Sequence, residues 1–192
     1  MKDAQRPLCA GPGVSEDSYA AGFHACTVLR DGTPVCVRAI RPDDKDRLRI
    51  AFERLSSRSV YHRFLHPVKE LTFDDLRNLT ELDFHNHVGL VLTVEEETGE
   101  TLIAVGRFVR AAPGADIAEL GFAVADEYQH HGAATLLLEH LVGMARRGAV
   151  REFVAHVLED NREMLEVFEN SNLPMRQSFE HGVCRVVLSI PT

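Results

Sequence analysis

The amino-acid sequence predicts an α+β domain built on one mixed, mostly antiparallel sheet flanked by helices. The first observation behind this is the order of the hydrophobic periodicities, which reads β-ααα-βββ-α-β-α-ββ along the chain. The second is that three central strands, between residues 87 and 124, are joined by short turns as in a meander. The third is a strand, a short loop and a long amphipathic helix in succession between residues 117 and 147.

The composition limits the classes of function. Hydrophobic residues make up 45% of the 192 residues and charged residues 26%, which is typical of a globular protein. The formal net charge of −8 gives no general attraction to nucleic acid or to anionic lipid. No apolar run approaches the roughly 18 residues that a membrane span needs. We therefore expect neither a nucleic-acid nor a membrane partner.

The N-terminal segment and the cysteines give two further expectations. Residues 1–27 are rich in Pro and Gly without sustained periodicity, so they are predicted to be a flexible leader before a domain at 28–192. The four cysteines show no CxxC spacing, and a domain of this size needs no disulfides. We therefore expect reduced thiols and a cytoplasmic location. The four are Cys9, Cys26, Cys36 and Cys184.

The first half of the domain is predicted from turn signals and periodicity. Asp31-Gly32 marks a turn, and the alternation of Val35, Val37 and Ala39 indicates a strand over 34–40. Three helices follow from apolar residues at helical spacing, the third opened by the capping box Thr72-x-x-Asp75. These helices are expected at about 43–55, 57–65 and 73–80.

The second half is predicted in the same way. The meander strands are rich in β-branched residues and are separated by Glu97-Thr98-Gly99-Glu100 and Pro113-Gly114. A long helix opens at Gly132, and Asp160-Asn161 caps a second one. The strands are expected at 87–94, 101–109, 117–124, 153–157, 176–179 and 184–190, and the helices at 132–147 and 162–171.

The stretch from Ile117 to Thr135 is the most informative about function. A helix N-terminus presents unpaired N–H groups, and the small residues Gly132 and Ala134 let a pyrophosphate approach the backbone closely. The alternative is a helix start whose glycine merely relieves a turn. Neither GxxxxGK[ST] nor GxGxxG occurs, so a nucleotide triphosphatase and a dinucleotide fold are not expected.

Gln129-x-x-Gly132-x-Ala134 resembles the Q/R-x-x-G-x-G/A signature of the GNAT superfamily of acyl-CoA N-acyltransferases. The context agrees, because the motif follows a meander and begins a Leu-rich helix. The resemblance covers about residues 33–190. It implies a GNAT-like fold, in which the strand at Phe122–Val124 splays away from the strand at Phe153–Val157 and acetyl-CoA binds in the gap as co-substrate.

Several segments are similar to the GNAT domain of bacterial Pat-type protein lysine acetyltransferases. That similarity implies transfer of acetyl to a primary amine, with protein lysine the favoured acceptor, by direct attack in a ternary complex. A small amine or amino acid is the alternative acceptor, and a weakly catalytic CoA-binding regulatory module is the alternative function. A homodimer is left open. The segments are Asp31-Gly32-Thr33, Val37-Arg38-x-Ile40-Arg41-Pro42-Asp43-Asp44, Ser57-Arg58-Ser59-Val60-Tyr61-x-Arg63-Phe64 and Ala118-Glu119-Leu120.

The resemblance implies a set of cofactor-binding residues. The backbone of Phe122, Ala123 and Val124 would hold the pantetheine arm and the thioester oxygen, with the Ala123 N–H at the developing oxyanion. Asn161 would contact the cofactor or would serve as a plain helix cap. Phe168 stands where many members have a tyrosine that protonates the leaving thiolate. The expected pyrophosphate loop comprises Gln129, His130, His131, Gly132, Ala133, Ala134 and Thr135.

Glu119 is the expected general base. A lysine with a pKa near 10.4 is neutral only about one time in a thousand near pH 7.4, so a carboxylate within reach is needed to take the proton. Alternation places Glu119, Gly121 and Ala123 on one face of the strand. Glu119 also matches the catalytic glutamate of Pat-type enzymes, and the alternative is a solvent-facing carboxylate.

The ten histidines do not predict a metal site. His62 and His66 lie at i, i+4, but His62 lacks the adjacent glutamate of HExxH, and no cysteine has zinc-finger spacing. Arg58, Tyr61 and Arg63 are expected either to line the acceptor cleft or to serve in helix packing and surface ion pairs.

Overall fold

In a computed structural model that describes residues 16–97 and 99–191, the chain forms one eight-stranded sheet with helices on both faces. The strand order is β1-β2-β3-β4-β5-β6-β8-β7. The strands are β1 His24–Val28, β2 Pro34–Ala39, β3 His87–Glu96, β4 Gly99–Arg110, β5 Ile117–Val124, β6 Glu152–Leu158, β7 Met175–Glu180 and β8 Val183–Ser189. The helices are α1 Glu16–Ala21, α2 Lys45–Glu53, α3 Ser57–Phe64, α4 Phe73–Thr80, α5 Ala133–Arg147 and α6 Arg162–Glu169.

The sheet opens in its middle, between β5 and β6. These two strands are the parallel pair, whereas the six other neighbouring pairs are antiparallel. Their ladder joins Ile117–Glu119 to Glu152–Val154 and ends there. The remaining half of β5 is paired with β4 alone. The predicted mixed, mostly antiparallel sheet with a splay at this point is thereby confirmed.

Each face of the sheet is covered by a different set of helices. On one face α5 and α6 bury a core in which Leu137 and Leu141 are fully inaccessible to solvent and Phe168 is 1% exposed. On the other face α2 and α4 pack over a smaller cluster around Val91 and Leu102. Removal of this apolar surface from water, at roughly 25 cal/mol per Å², is the main stabilising contribution.

The start of α2 is fixed to the sheet by a buried ion-pair network. The Arg38 guanidinium donates two hydrogen bonds of 2.7 Å to the Asp44 carboxylate and bonds of 2.8 and 2.9 Å to Glu100. The Arg38 hydrogen bonds lower the pKa of Glu100 to about 2, although partial burial acts in the opposite direction. Asp44 also accepts from the Arg41 backbone N–H, which satisfies a free donor at the helix start.

The helix starts follow the sequence signals. Thr72 accepts from the backbone N–H of Asp75, and the Asp75 carboxylate accepts from that of Thr72, so the predicted capping box is present. The Ser56 hydroxyl caps α3 by accepting from the Ser59 N–H. None of the described helices is long and apolar enough to cross a membrane.

The sheet begins earlier than the sequence predicted. Residues 16–28, mostly assigned to the leader, contain α1 and the edge strand β1, which pairs antiparallel with β2. The last three residues of β1, Cys26, Thr27 and Val28, are exposed. An edge strand with so little burial has no clear alternation in its sequence, so the hydrophobic pattern did not reveal it. The rest of the predicted leader, residues 1–15, lies outside the described residues.

The expectation of reduced thiols was wrong for two cysteines. Cys26 and Cys36 are directly opposite each other in the β1–β2 ladder and form a disulfide, with Cα atoms 4.0 Å apart. The cross-strand pairing that creates this proximity depends on β1, which was not predicted. Cys184 is free and buried, as expected, and Cys9 lies outside the described residues. The argument for a cytoplasmic location from reduced thiols therefore does not stand.

Candidate active site

A cleft of about 690 Å³ opens where β5 and β6 diverge. Its walls are the second half of β5, the loop that leads into α5, and the inner sides of α3 and α6. The cleft thus brings together segments that are up to about a hundred residues apart in the sequence. Of the three residues expected either at the acceptor cleft or in packing, Arg58 and Arg63 line the cleft and Tyr61 does not. All of the predicted catalytic and cofactor-binding residues except His131 line it: Glu119, Phe122, Ala123, Val124, Gln129, His130, Gly132, Ala133, Ala134, Thr135, Asn161 and Phe168.

The backbone of β5 offers free hydrogen-bonding groups to this cleft. The Ala125 N–H donates to Ile103 and the Ala111 N–H to Ile117, which fixes the phase of the β4–β5 ladder. Because N–H directions alternate along a strand, the Ala123 N–H points to β4, whereas those of Phe122 and Val124 point to the gap. This corrects the expected oxyanion donor, since the Ala123 N–H is used in the ladder.

The N-terminus of α5 has the geometry of an anion-binding loop. Gly132 adopts a φ of +90°, and the helix starts at Ala133. The first helical hydrogen bond runs from the Leu136 N–H to the Gly132 carbonyl. The N–H groups of Ala133, Ala134 and Thr135 therefore have no acceptor within the helix and carry its positive dipole end.

The turn between β1 and β2 packs on this loop and adds a cation that sequence analysis missed. The Arg30 N–H donates to the His131 carbonyl at 3.0 Å. A Cβ atom placed on Gly132 would lie 3.2 Å from Arg30 Nε, so the arginine side chain passes directly over the glycine. His131 Nδ1 is 3.0 Å from the Asp31 carboxylate, within ion-pair distance but without hydrogen-bond geometry. The His131 ring is thus turned toward this hairpin rather than toward the cleft.

Gln129 joins the loop to α3 rather than facing a ligand. Its side-chain amide donates to Ser59 Oγ at 3.1 Å, to the Val124 carbonyl at 3.1 Å and to Asp126 at 3.0 Å. Asp126 in turn accepts from the Ser56 backbone N–H at 2.7 Å. Burial raises the pKa of Asp126, but hydrogen bonds from Ser59, Ser56 and Gln129 outweigh burial and lower it. This network fixes α3 beside the end of β5.

The α6 side of the cleft carries Asn161 and Phe168. Asn161 Oδ1 accepts from the Met164 N–H at 3.2 Å, so it caps α6 and also lines the cleft. Phe168 packs against Phe122 with ring centroids 6.3 Å apart. His62 of α3 lies 3.4 Å from the Asp160 carboxylate and links α3 to the loop before α6.

Glu119 is exposed within the cleft, on the face of β5 that is turned toward α3. The charged groups that act on it are the guanidinium groups of Arg63 and Arg107. Arg63 lies over Gly121, the next residue of β5 on the same face. The sequence left two predictions for Arg63, lining of the acceptor cleft or helix packing with surface ion pairs, and the structure supports the position in the cleft. Arg107 was not anticipated, because only the β4–β5 register brings it opposite Gly121.

The histidines give no metal centre in the part of the chain that the structure describes. His62 faces Asp160, and His66 Nδ1 faces the carbonyl of Pro67. The one described group with three metal-type side chains in reach of each other is His24, Cys26 and Cys36. Both of its sulfur atoms are used in the disulfide.

Known proteins match this chain over most of its length. Residues 57–172 match the model of the Acetyltransferase (GNAT) family. The GNAT domain of S. lividans PAT is 38% identical with a TM-score of 0.79, and the match covers 86% of this chain and 96% of that one.

Two curated relatives are similar as well. Acetyltransferase Pat of Mycolicibacterium smegmatis is 33% identical over 73% of this chain, but only 41% of that longer protein is covered. An acetyltransferase of Pseudomonas aeruginosa is 29% identical over 76% of this chain and 78% of its own length.

Proposed function

The chain belongs to the GNAT family of acetyltransferases, which use acetyl-CoA as co-substrate, and we propose that its acceptor is a lysine side chain of a protein. The observation that carries the proposal is the position of Glu119, which faces the cleft on the strand whose free N–H groups line the gap. The similarity to the two Pat proteins supports lysine as the acceptor. A cytoplasmic location is part of the proposal, because acetyl-CoA must be supplied to the enzyme.

We propose that the free backbone groups hold the cofactor. The N–H groups of Ala133, Ala134 and Thr135 would bind the pyrophosphate, since a helix N-terminus favours anions. Arg30 would add a positive charge to the same phosphates from the β1–β2 turn. Glycine at position 132 fits this role, because a Cβ there would press on the Arg30 side chain that lies over the loop.

The acyl end of the cofactor would lie along the unpaired half of β5. The gap-facing N–H groups of Phe122 and Val124 would pair with the pantetheine arm, and one of them would stabilise the oxyanion of the tetrahedral state. Removal of one such donor typically costs about 10²–10³ in kcat. Because the donors are backbone groups of a strand held by β4, they need no reorganisation during the reaction.

Glu119 would take the proton of the incoming amine, directly or through one water. The amine then forms a bond to the thioester carbon, and the carbon–sulfur bond breaks. The cations Arg63 and Arg107 also favour loss of the amine proton, because they disfavour an ammonium ion beside them relative to the neutral nucleophile. The thiolate leaves without help from Phe168, since a free thiol has a pKa near 8.5 and water can protonate it.

A second candidate function rests on Phe168, which has no proton to give. The lack of a proton donor at this position favours a weakly catalytic module that binds acetyl-CoA and regulates another activity. One experiment separates the two. The protein is incubated with acetyl-CoA and a mixture of lysine-containing proteins, released CoA is measured, and acetylated lysines are mapped by mass spectrometry.

The two proposals give different results in that experiment. Lysine acetylation predicts CoA release that depends on the acceptor proteins, together with acetyl groups on lysine. Tight binding of acetyl-CoA without acceptor-dependent release supports the regulatory module. A parallel incubation replaces the proteins with free amines and amino acids, and release in that incubation alone identifies a small-molecule acetyltransferase.

A further inference from the structure

Two arginine side chains lie close together at the side of the cleft, where Arg63 lines both the cleft and a small neighbouring pocket and Arg107 lines that pocket. Arg107 of β4 is directly opposite Gly121 of β5, so its side chain leaves the sheet on the face that Gly121 leaves open. The Arg63 guanidinium lies flat over Gly121: a Cβ there would be 3.0 Å from Cζ and from both terminal nitrogens. Glycine at 121 is what lets the guanidinium approach the strand.

Neither guanidinium has a hydrogen-bond acceptor among the described residues. Arg63 has a cation–π contact with Phe64, at 5.3 Å from the ring centroid. Burial, together with the charge of Arg107, lowers the pKa of Arg63 to about 10, and burial also lowers that of Arg107. Both are partly buried, so each carries a desolvation cost that the charge of Glu119 offsets only in part.

The surrounding charges leave this pair with a net positive charge. Glu119 is the acid whose charge acts on both arginines, but it forms no ion pair within 4.0 Å with either. His87 is the other titratable group beside Arg107, and burial and Arg107 lower its pKa to about 4, so it is neutral near pH 7. Two cations and one anion therefore leave one charge uncompensated.

We propose that Arg63 and Arg107 form a carboxylate-binding subsite, and that the enzyme also transfers acyl groups that end in a carboxylate. The chemistry is that of a planar guanidinium fork, which matches a carboxylate with two parallel hydrogen bonds. The inference rests on the proposed function, because it assumes that the thioester lies along β5.

Distances along β5 suit a four-carbon dicarboxylic acyl group. Gly121 and Ala123 are two residues apart on one face, which is about 6.6 Å along a strand. The carboxylate carbon of an extended succinyl chain lies about 4 Å from the thioester carbon, since each carbon–carbon bond is near 1.5 Å. A thioester near Ala123 thus brings that carboxylate to the guanidinium above Gly121.

A small apolar pocket next to the two arginines provides room for the chain. It has a volume of about 60 Å³ and is lined by Phe52, Leu55 and Leu79 of the helical layer, with Arg63 and Arg107 at its border. Methylene groups therefore contact apolar side chains while the terminal carboxylate meets the cations. An acetyl group would leave the pocket unfilled and would offer neither guanidinium a hydrogen-bond acceptor.

The reaction is otherwise the one proposed above. The neutral amine nitrogen bonds to the thioester carbon, the carbon–sulfur bond breaks, and Glu119 takes the amine proton. The thiolate leaves as CoA and gains a proton from water. The product is an amide whose far end keeps its carboxylate, and no oxidant or reductant is consumed.

The test compares succinyl-CoA with butyryl-CoA, which has the same chain length but a methyl group in place of the carboxylate. Binding is measured by calorimetry and turnover by CoA release, with acetyl-CoA as reference. We expect the succinyl preference to fall about 10- to 100-fold in Arg63→Gln and in Arg107→Gln, as for loss of a charged hydrogen-bonded pair. Acetyl-CoA affinity should stay within about threefold, and Arg49→Gln, at an exposed arginine of α2, should keep the wild-type ratio.

A second arm identifies the source of the carboxylate. With acetyl-CoA as donor, free amino acids are compared with their amides as acceptors, in the wild type and in the two Gln variants. An arginine-dependent preference in this arm supports the subsite with the carboxylate on the acceptor. Arg63→Lys and Arg107→Lys keep the charge but lose the fork, so they should keep the fold and recover only part of the preference.

The proposal is overturned if neither arm prefers a carboxylate, or if the preference survives both Gln substitutions. Failure of the proposed function is a distinct result, because it would appear as no acetyl-CoA binding or no acetyl transfer by the wild type. A protein that binds and transfers acetyl but treats succinyl and butyryl alike contradicts only the subsite.

Discussion

Replacing Gly132 with Glu should strongly weaken acetyl-CoA binding while leaving the fold intact. Gly132 has a φ of +90°, and a Cβ there would approach Arg30 Nε at 3.2 Å. The left-handed backbone costs a residue with a side chain about 1–2 kcal/mol of stability. The Arg30 side chain is flexible at its end and can move, so steric strain adds little.

The effect on binding is electrostatic and larger. A carboxylate about 4 Å from a phosphate oxygen is repelled by roughly 4 kcal/mol at an effective dielectric constant of 20. Screening in an open cleft reduces this, so we expect a loss of about 2–4 kcal/mol, or roughly 30- to 1,000-fold in Kd.

Gly114→Glu is the matched control, because Gly114 also has a positive φ, of 73°, and no atom within 4 Å of a Cβ. Both variants have the same backbone cost and the same added charge, but Gly114 precedes β5 whereas Gly132 follows it. Urea denaturation should show similar stabilities, and calorimetry should show wild-type affinity for acetyl-CoA in Gly114→Glu but not in Gly132→Glu. Equal affinities in the two folded variants would remove the loop at Gly132 from the cofactor site.

Three further predictions concern α6, the hairpin and the sheet. Phe168→Tyr places in the cleft a hydroxyl that can protonate the leaving thiolate, so we expect faster CoA release at unchanged acetyl-CoA affinity. Slower release together with lower stability would mean that the packing around Phe168 has no room for the oxygen. Reduction of the Cys26–Cys36 disulfide, which closes a loop of separation 10, should lower the free energy of unfolding by at most about 3 kcal/mol, and Cys26→Ser should not respond to reductant. Burial and Arg107 lower the pKa of His87 to about 4, below its unfolded value near 6.5, so the unfolded state binds a proton first as the pH falls. Through His87, the free energy of unfolding should therefore decrease by about 2.5 kcal/mol between pH 6.5 and 4. His87→Gln should remove that part of the decrease in urea titrations at each pH, and an unchanged slope would contradict it.

Much of the fold was predictable because its elements carry strong local signals. The helix Ala133–Arg147 shows sustained helical periodicity, and Thr72-x-x-Asp75 marks the start of α4 as the structure has it. The meander is delimited by turn residues and β-branched runs. Edge strand β1 lacks such a signal, since most of its side chains meet solvent on both faces.

The candidate site was predictable where it is continuous in sequence. The loop from Gln129 to Thr135 lines up with its motif, whereas Arg30 comes from a turn about a hundred residues earlier. The direction of the Ala123 N–H depends on the phase of the β4–β5 ladder, which no sequence pattern encodes. The meeting of Arg63 with Arg107 likewise depends on the register of β4 with β5 and on the packing of α3.

In the proposed reaction Glu119 accepts the proton of a lysine nucleophile. The most direct test is the turnover of Glu119→Gln with a protein acceptor identified by mass spectrometry, with Glu139→Gln, at an exposed position of α5, as control. We expect a loss of roughly 10²–10⁴-fold in turnover, unchanged acetyl-CoA affinity, a weakened low-pH limb of the rate profile and partial rescue at high pH. If Glu119→Gln keeps more than roughly a third of wild-type turnover, far above the loss expected for a general base, another group takes the proton and the claim is contradicted.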